Sequence, residues 1–573
     1  MKRFLFLIAA LISSSQAQWA QDPTVNTRVT NGGLLPQIIS DGYGGAYIVY
    51  QDSPALLRQL WVQRLDRYGY VRFPNNGIRI SSADRHQTPT YFLVSDGVGG
   101  VIVVFNDFRV VGNETFGAVY AQRLDSSGTK LWGEAGIDIS PVADNKSPVS
   151  ACSDGANGVL VFWGEDTGDH RVFELWGQRI NAKGQLMWPR RGILIADEFT
   201  SISDPIPSGA VRDGSGGAII LYSDRTGTRL QRINAQGQFL WGAGKKIFPV
   251  GRQMIEDGDG GAIIAGVRFV LDSTSYHFNV GAQRVNFEGQ ALWGDNGVIL
   301  TELADDQTQS IEIVIDESKS RAFFWHDKRT GDFNIYAQKL NSNGEPQWVE
   351  NGIPVSSFES RKTIYSSGIA SDLSSGAVII WSDRRVGGGG LFFTDGLFGQ
   401  RLHGNGNRLW NENDIAISTR NVRHYSHKII SDYAGGAIVC WYEIGTNSGW
   451  GIFAQQISRN GRLGEVLSTS VSEPERAIKP KGYILHQGYP NPFNSSMVIK
   501  YELPKSTFVY LRILDLSGKE VKKLINQEQQ SGLYSMVWNG KNEKGNDVPS
   551  GVYLYQLRAA GSIVKTRKTV FIK

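Results

Sequence analysis

The chain has 573 residues, too many for one ordinary hydrophobic core, so we expect several domains or a repeat array with an added module. Gly is abundant at 67 residues and aromatic residues make up 11%, which favours many short strands over a helical protein. With 59 basic and 55 acidic residues, the formal net charge of +4 excludes the broad basic surface that nucleic acid binding requires.

The N-terminus has the pattern of a secretory signal peptide. Lys2 and Arg3 precede an apolar run over residues 4–12, and the small residue Ala17 follows at the spacing of a cleavage site. We predict that residues 1–17 are removed and that the mature protein is exported.

Only two cysteines are present, Cys152 and Cys440, at different positions of repeats that are far apart in the chain. Both lie beside or within apolar strand patterns, which favours buried free thiols over a disulfide or a catalytic thiol.

One unit recurs eight times between about residues 30 and 470. Its first anchor is an Asp-Gly-x-Gly-Gly turn before an apolar run, at Asp41, Asp96, Asp154, Asp213 and Asp257, then in degraded form at Asp316, Asp372 and Asp432. Its second anchor is the glutamine of a Gln-Arg pattern, at Gln63, Gln122, Gln178, Gln231, Gln283, Gln338, Gln400 and Gln455. A tryptophan follows at Trp132, Trp188, Trp241, Trp293, Trp348 and Trp410; Phe73 replaces it once, and the last unit has no such aromatic residue. Because these residues recur in nearly every unit, we interpret them as architectural.

Each unit divides into four short strands, for example Tyr91–Val94, Val101–Phe105, Val119–Leu124 and Ile137–Ser140. Four antiparallel strands per unit are typical of a β-propeller blade, because radial closure hides the edges that open sheets expose. We predict an eight-bladed β-propeller over residues 28–466 of an all-β protein. A series of sandwiches or a β-solenoid is the alternative.

The loops between second and third strands share one face of a propeller with the connections between blades, and an aromatic-x-acid pattern ends the second strands there. The acids of this candidate ligand face are Asp52, Asp107, Glu165, Asp224, Asp327, Asp383 and Glu443. Carboxylates that converge at a propeller mouth favour binding of sugars, peptides or a cation. The alternative, which the recurrence of the pattern favours, is that each acid pairs with a neighbouring Arg or caps its own loop.

The sequence contains no Gly-x-Ser-x-Gly elbow, no His-Glu-x-x-His helix and no Walker loop. Asp257–Gly261 resembles a calcium loop but lacks the remaining acidic ligands. His424 and His427 have no accompanying Cys or acidic set, so we expect them in a surface loop and not at a metal. We predict no catalytic residue, no metal and no cofactor.

A different, compact region follows the repeats. Residues 467–483 are polar, with prolines and mixed charges, and indicate a linker. Within residues 484–573, apolar and polar residues alternate in five runs, which predicts a small antiparallel, immunoglobulin-like β-sandwich. The runs cover residues 497–503, 507–514, 534–538, 552–558 and 563–572.

The most specific motif of this region consists of Tyr489, Pro490, Asn491, Pro492, Phe493 and Asn494, and a basic segment at Lys565–Lys573 ends the chain. Together with Asp515-Leu-Ser-Gly518 and Trp538-Asn-Gly540, it resembles the type A sorting domain of the bacterial type IX secretion system and the related immunoglobulin-like module of the flagellar hook-capping protein. The resemblance implies export by the signal peptide and recognition of the C-terminal domain by an outer-membrane translocon. A plain sandwich of the hook-capping type, without a targeting role, is the alternative.

We therefore expect a non-catalytic binding or adhesion protein, secreted or on the outer-membrane surface of a Gram-negative bacterium, with an extracellular glycan or protein as its ligand. One alternative is a secreted polysaccharide hydrolase or lyase that uses acids of the propeller mouth as general acid and base. Another is a structural subunit of a surface assembly.

Overall fold

A computed structural model describes residues 19–52, 59–81, 90–111, 114–139, 146–166, 173–199, 209–224, 227–242, 244–246, 250–271, 276–302, 311–315, 320–357, 362–363, 368–386, 395–420, 422–445, 449–465, 483–488, 491–494, 497–529, 532–544 and 546–572. The regular elements in these ranges are β-strands, apart from one turn of 3-10 helix at Arg384–Val386. None of these ranges contains a helix long and apolar enough to cross a membrane. The predicted signal peptide, residues 1–17, and the Asp316 turn lie outside the described residues.

The first region is a series of antiparallel sheets that follow one another along the chain, in the manner of a propeller. Strand β1 (Thr27–Arg28) belongs to the last sheet of the series. Sheet 1 contains β2 (Leu34–Ser40), β3 (Ala46–Gln51), β4 (Leu60–Leu65) and β5 (Ile78–Arg79). Sheet 2 contains β6 (Tyr91–Ser95), β7 (Val101–Val111), β8 (Glu114–Leu124) and β9 (Ile137–Asp138). Sheet 3 contains β10 (Lys146–Ser153), β11 (Val159–Asp166), β12 (Phe173–Ile180) and β13 (Ile193–Phe199). Sheet 4 contains β14 (Gly209–Arg212), β15 (Ala218–Asp224), β16 (Gly227–Ile233) and β17 (Lys245–Lys246).

Sheet 5 contains β18 (Val250–Glu256), β19 (Ala262–Leu271), β20 (Tyr276–Val285) and β21 (Val298–Thr301). Sheet 6 contains β22 (Ile311–Ile315), β23 (Arg321–Asp327), β24 (Asn334–Leu340) and β25 (Ile353–Pro354). Sheet 7 contains β26 (Lys362–Thr363) and β27 (Ile369–Ser371), which both pair with β28 (Ala377–Asp383), then β29 (Gly396–Leu402) and β30 (Ile415–Ser418). Sheet 8 contains β31 (Arg423–Ser431), β32 (Ala437–Gly445) and β33 (Gly449–Ile457), and β1 pairs with β33 as its fourth strand.

The second strand of each sheet is a nearly continuous apolar run because both of its faces are covered. Every residue of Ala46–Gln51 and of Ala377–Asp383 is buried. The hydrophobic clusters each join two consecutive sheets, so that a sheet packs on one neighbour through each face. A further cluster, which contains Trp19 and Cys440, joins sheet 8 to sheet 1.

The recurring anchors form one network on the face that carries the turns between first and second strands. In sheet 2, Asp96 Oδ1 accepts hydrogen bonds from the backbone of its own turn, and its other oxygen binds the Arg123 guanidinium at 2.9 Å. Arg123 Nη1 and Trp132 Nε1 both donate to the carbonyl of Ala182, in the corresponding turn of sheet 3. Gln122 links the two parts, because its amide donates to Gly133 and accepts from the Trp132 N–H. The same Asp–Arg pair occurs as Asp41–Arg64, Asp154–Arg179, Asp213–Arg232, Asp257–Arg284 and Asp372–Arg401.

The chain start is packed into sheet 8. First strands of consecutive sheets contact one another along the series, and β31 of sheet 8 contacts β2 of sheet 1. Trp19, 3% exposed, lies where the missing tryptophan of the last unit would lie, ahead of the boundary predicted at residue 28.

Two details differ from the prediction, and one is confirmed. In sheet 2, β7 and β8 run well past the predicted Phe105 and Val119, because the ladder continues to Val111 paired with Glu114. His424 and His427 do not lie in a surface loop: both are buried in β31, where a register shift between Tyr425 and Lys428 interrupts the ladder. Cys152 and Cys440 are buried free thiols, as predicted.

The C-terminal region forms two sheets around one core. The first contains β34 (Ile484–Leu485), β35 (Met497–Leu503) and β38 (Gly532–Trp538). The second contains β36 (Thr507–Leu514), β37 (Glu520–Gln529), β39 (Gly551–Ala559) and β40 (Ser562–Phe571), in the order β37-β36-β39-β40. Their core includes the fully buried side chains of Tyr501, Trp538 and Tyr555.

Candidate functional site

The candidate acids lie at one end of the second strands. Glu165, Asp224, Asp383 and Glu443 are in β11, β15, β28 and β32, Asp52 directly follows β3, Asp107 lies within β7, and Asp327 is the last residue of β23. The Asp327 side chain lies outside the described part of the chain. The register of the ladders therefore brings these positions to the face opposite the Asp–Arg networks.

Asp383 is held in a buried ionic network. Its Oδ2 binds Arg385 Nη2 at 2.5 Å and accepts a hydrogen bond from Trp381 Nε1 at 3.2 Å. Arg385 also binds Asp414 Oδ2 at 2.9 Å, and Lys362 lies directly across the β26–β28 ladder from Asp383. Because the exposed fraction of Asp383 is 0%, this carboxylate stabilises sheet 7 from inside.

Glu443 is the centre of a second buried network, which joins three parts of the chain. Its Oε1 accepts hydrogen bonds from Trp441 Nε1 at 3.0 Å and Asn26 Nδ2 at 2.9 Å, and its Oε2 binds Arg420 at 2.6 Å. His424 Nε2 is 3.7 Å from Oε1. Burial is the main cause that raises the pKa of Glu443, although Trp441 and Arg420 act in the opposite direction.

A serine–histidine contact adjoins this network. Ser418 Oγ is 2.7 Å from His424 Nε2, and His424 Nδ1 is 2.6 Å from the carbonyl oxygen of Asp395. This is the contact pattern of a nucleophile with an oriented base. Ser418 is 0% exposed, however, and its hydroxyl also accepts a hydrogen bond from Asn26, so a substrate has no access to it. The contact is structural.

The acids of sheets 3 and 4 pair with arginines of their own sheets. Glu165 Oε1 binds Arg191 at 3.2 Å, and Arg191 lies 4.7 Å from the centre of the Trp176 ring. Asp224 binds Arg229 on the adjacent strand. The Arg191 side chain is 52% exposed, so a part of this pair faces solvent.

In sheet 1, the candidate acid is bound by hydrogen bonds to its own loop and to the adjacent strand. Asp52 Oδ1 accepts the Gln59 N–H at 2.9 Å, and Oδ2 accepts Trp61 Nε1 at 3.3 Å, so this carboxylate caps its own loop. Burial raises the pKa of Asp52. Asp107 is 1% exposed.

Taken together, the described acids are bound within or beside their own sheets and do not converge on one cavity. Among the described residues, no group of three or more His, Cys, Asp or Glu side chains is arranged to hold a metal ion. Asp257, the position that resembled a calcium ligand, binds its own turn and Arg284 in the same way as the other repeats. Arginines of this face also lie over aromatic rings, at Arg191–Trp176, Arg329–Tyr336 and Arg385–Phe398, and of these the Arg191 side chain is half exposed.

In the C-terminal region, the predicted sorting motif is folded onto the terminal strand. Tyr489 and Pro490 lie outside the described residues, and Pro492 and Asn494 are exposed. Phe493 is buried against Trp538 and Phe571, and its backbone pairs with Val570 and Ile572. The Asn491 amide pairs with Val570 N–H and the Lys568 carbonyl, so it caps the open edge of β40 as a backbone strand would.

Beside this motif lies a groove of about 500 Å³, lined by Gln487, Asn491, Pro492, Lys565, Thr566, Arg567, Lys568 and Val570. Its charged lining residues are all basic, since Lys565, Arg567 and Lys568 project from β40. The groove therefore combines the motif and the basic terminal strand in one surface.

Trp19 and Asn26 were not predicted to belong to the last sheet. The signal was present in two places: the last unit lacked its aromatic residue, and an unassigned tryptophan stood just after the predicted cleavage site.

These features define an all-β protein with propeller-like sheets and an immunoglobulin-like C-terminal domain. Residues 494–562 match the family model of the FlgD Ig-like domain. No curated protein matches the chain.

A search of solved structures finds several that are similar to this chain. A protein of unknown function from Dyadobacter fermentans is 9% identical, with 64% of this chain and 92% of that chain covered and a TM-score of 0.30. An endo-arabinase from Bacteroides thetaiotaomicron is 11% identical, with coverages of 58% and 99% and a TM-score of 0.27. The polysaccharide lyase Uly1 is 9% identical, with coverages of 79% and 94% and a TM-score of 0.36.

Proposed function

We propose that this chain is an exported eight-bladed β-propeller that binds an extracellular glycan or protein without catalysis, and that its C-terminal domain is a type IX sorting domain. The observation that supports the binding role is which charged side chains of the candidate ligand face are buried and which are exposed. Its described carboxylates are bound inside or beside their sheets, while the Arg191 guanidinium, above the Trp176 ring, is exposed to solvent.

The eight blades are the eight sheets of the repeat region. Support comes from the contact of β31 with β2 and from the shared hydrophobic cluster between sheets 8 and 1. Strand β1 completes the last sheet from the opposite end of the chain, which is the way a closed ring hides its remaining edge.

The sorting role rests on the terminal position of the immunoglobulin-like domain, the predicted signal peptide and the groove between Asn491 and the basic strand. In this proposal the outer-membrane translocon is the partner of the C-terminal domain, and the protein is secreted or held on the outer surface.

The test of sorting compares two chains in a host with type IX secretion: the full chain and a chain that ends at Pro480. We expect only the full chain to reach the surface or medium, while the shorter chain accumulates in the periplasm. A third chain that starts at Gln18 is the control, and it should stay inside the cell. Equal export of the first two chains would overturn the sorting role and leave residues 484–573 as an ordinary domain.

The test of binding uses the full mature chain on arrays of glycans and extracellular proteins. For a ligand found there, Arg191→Ala should weaken binding, because it removes an exposed guanidinium above Trp176. Lys183→Ala is the matched control: it removes an exposed charge at the opposite end of the same sheet and should leave binding unchanged.

A secreted polysaccharide hydrolase or lyase is the second candidate, and Asp52 favours it, because this carboxylate is only partly buried and its pKa is raised, as a general acid requires. If such activity is found, Asp52→Asn and Asp327→Asn should each abolish it while the protein stays folded. Activity that survives both changes would exclude these acids as catalysts.

A further inference from the structure

Two arginines stand at a position of the repeat that is uncharged in the other six sheets. The position is the second residue of the turn between third and fourth strands, and its carbonyl accepts a hydrogen bond from the preceding sheet in every case. Sheets 1 and 8 have Arg67 and Arg459 there. The other sheets have Ser126, Ala182, Ala235, Phe287, Ser342 and Gly404. Because the repeat uses only the main chain of this residue, it does not require the two guanidiniums.

Two exposed tyrosines lie in the turns between first and second strands of the same two sheets. Tyr43 of sheet 1 is 66% exposed. The equivalent residues in the other described turns are Val98, Ala156, Ser215, Asp259, Ser374 and Ala434. Tyr433 of sheet 8 is 53% exposed and has left-handed backbone, with φ of +60°. Five other sheets have glycine at that position, which adopts this backbone at lower cost, so the fold selects tyrosine at neither position.

The turns that carry these residues touch one another. A Cβ atom at Gly44, the residue after the exposed tyrosine of sheet 1, would lie 3.3 Å from the carbonyl oxygen of Asp432 and 3.5 Å from Arg67 Cβ. A Cβ atom at Gly435 of sheet 8 would lie 3.5 Å from Arg459 Cβ. The exposed side chains of both sheets therefore belong to one continuous surface.

A third tyrosine completes this surface. The Arg67 guanidinium lies 5.5 Å from the centre of the Tyr68 ring, which is 42% exposed. We call Tyr43, Arg67, Tyr68, Tyr433 and Arg459 the tyrosine–arginine cluster.

The carboxylates of these turns are bound by the protein itself. Asp41 and Asp432 are 3% and 8% exposed and belong to the repeat network, and Asp66 accepts hydrogen bonds from the backbone of its own turn. Arg67 is exposed and Arg459 is half-buried. Among the described residues, neither guanidinium has a carboxylate within ion-pair distance. The cluster therefore offers two positive charges to an anionic ligand.

We propose that the tyrosine–arginine cluster is a second binding site, which takes an acidic polysaccharide. Guanidiniums bind carboxylate and sulfate groups through paired N–H donors, and exposed tyrosine rings supply flat apolar faces with a polar tip, on which sugar rings lie. The inference rests on the export proposed above, because export brings the chain among extracellular glycans. It does not depend on Arg191, which lies on the opposite face.

The test measures the affinity of the purified chain from residue 18 to the end by titration calorimetry. Oligogalacturonate and dextran sulfate separate recognition of carboxylate from recognition of sulfate, and neutral dextran tests whether charge is needed. An oligothymidylate is included because aromatic rings and arginines also bind single-stranded nucleic acid.

The variants give each cluster position a residue that other sheets carry there: Arg67→Ser, Arg459→Ser, Tyr43→Ala and Tyr433→Gly. Lys183→Ala is the matched control, since it removes an exposed charge from the same turn of sheet 3. Thermal unfolding of every variant separates a role in binding from a role in the fold.

We expect the chain to bind at least one anionic polysaccharide, and to bind it more tightly than neutral dextran or the oligonucleotide. Arg67→Ser and Arg459→Ser should each weaken binding roughly tenfold, because a hydrogen bond between charged groups is lost. Tyr43→Ala and Tyr433→Gly should each weaken it about fivefold through the loss of ring contact. The unfolding midpoints should not fall, and Lys183→Ala should change neither quantity.

The proposal would be overturned if the chain bound neither anionic polysaccharide, bound neutral dextran equally well or bound the oligonucleotide more tightly. Unchanged affinity in both arginine variants would also overturn it, and a lower unfolding midpoint in them would then assign the arginines to the fold. A ligand whose binding is lost in Arg191→Ala but kept in Arg67→Ser would leave the proposed function standing without this site. The reverse result would support this site alone.

Discussion

Sheet 2 and sheet 8 have the same plan but reach their neighbours in different ways. Sheet 2 uses its own Arg123 and Trp132, both of which donate to the carbonyl of Ala182 in sheet 3. In sheet 8 the arginine is replaced by Gln456, which binds Asp432 at 3.0 Å, and the tryptophan comes from residue 19. At an interior joint, the arginine that reaches the next sheet is therefore also paired with an aspartate of its own sheet, whereas at the closing joint the groups are neutral and come from opposite ends of the chain.

This difference indicates which joint of the ring is the least stable. A contact between distant chain segments carries a larger loop-closure cost than one between neighbours in sequence. Sheet 8 also has a neutral amide where six other sheets have a guanidinium and sheet 6 has the ammonium of Lys339. We expect local opening to begin between sheets 8 and 1.

The largest effect should come from the ion pair at an interior joint. Arg232→Ala leaves the Asp213 carboxylate buried without its bidentate partner and should reduce the free energy of unfolding by about 3–5 kcal/mol. Gln456→Ala, at the equivalent position of sheet 8, removes one neutral donor and should cost about 1 kcal/mol. Urea unfolding measures the loss in free energy of unfolding for each variant. Equal losses for Arg232→Ala and Gln456→Ala would contradict the difference predicted between sheets 4 and 8.

The next effect is a pH dependence caused by buried histidines, of which sheet 8 has two and sheet 6 has His326, whose pKa is lowered to about 4. Burial lowers the pKa of His427 to about 3 and that of His424 to about 4. Because both values lie below that of the unfolded chain, about 6.5, the unfolded state takes up protons first and stability falls as the pH drops below 6.5. At pH 5 each histidine should cost about 2 kcal/mol relative to pH 7.5.

Hydrogen exchange at β31 and β33, measured at pH 7.5 and pH 5, should show this loss before sheets 2 to 4 do. His427→Asn cannot take up a proton and should remove about half of the difference. A loss that is uniform around the ring, or unchanged in this variant, would refute the assignment.

The smallest expected effect is the difference in stability loss between alanine substitutions at two glycines of sheet 1. Both have left-handed backbone, with φ of +83° at Gly69 and +81° at Gly42, so alanine costs about 1 kcal/mol at either position. Gly42 faces open space, whereas a Cβ at Gly69 meets the Trp19 ring. Thermal unfolding should show about twice the loss for Gly69→Ala. In a chain that carries Trp19→Ala, the excess loss at Gly69 should disappear, which separates the effect of the contact with the Trp19 ring from that of backbone strain.

The strands of the repeat region were predictable from the sequence because their signals are local. An Asp-Gly turn before an apolar run specifies a hairpin, and the Gln-Arg pattern marks the third strand in every unit. The same holds for β35, β36 and β39, whose alternation is regular.

The residues that escaped prediction depend on distant contacts. The segment Glu520–Gln529 has no apolar alternation, since it is a largely exposed edge strand, and only its pairing with β36 identifies it. His424 and His427 look like surface residues in sequence, and their burial follows from their place on β31, next to sheet 1. The pairing of each candidate acid was anticipated as an alternative, but its partners, such as Asn26 at Glu443, come from remote parts of the chain.

The contacts between consecutive sheets allow whole repeat units to be added or removed. Arg123 and Trp132 bind a main-chain carbonyl of the following turn, not a side chain. A repeat can therefore follow any other repeat without matched substitutions, so gene duplication or deletion of a whole unit leaves each interior joint intact. Only the joint between sheets 8 and 1 requires residues that match each other, because its two halves are encoded at opposite ends of the array.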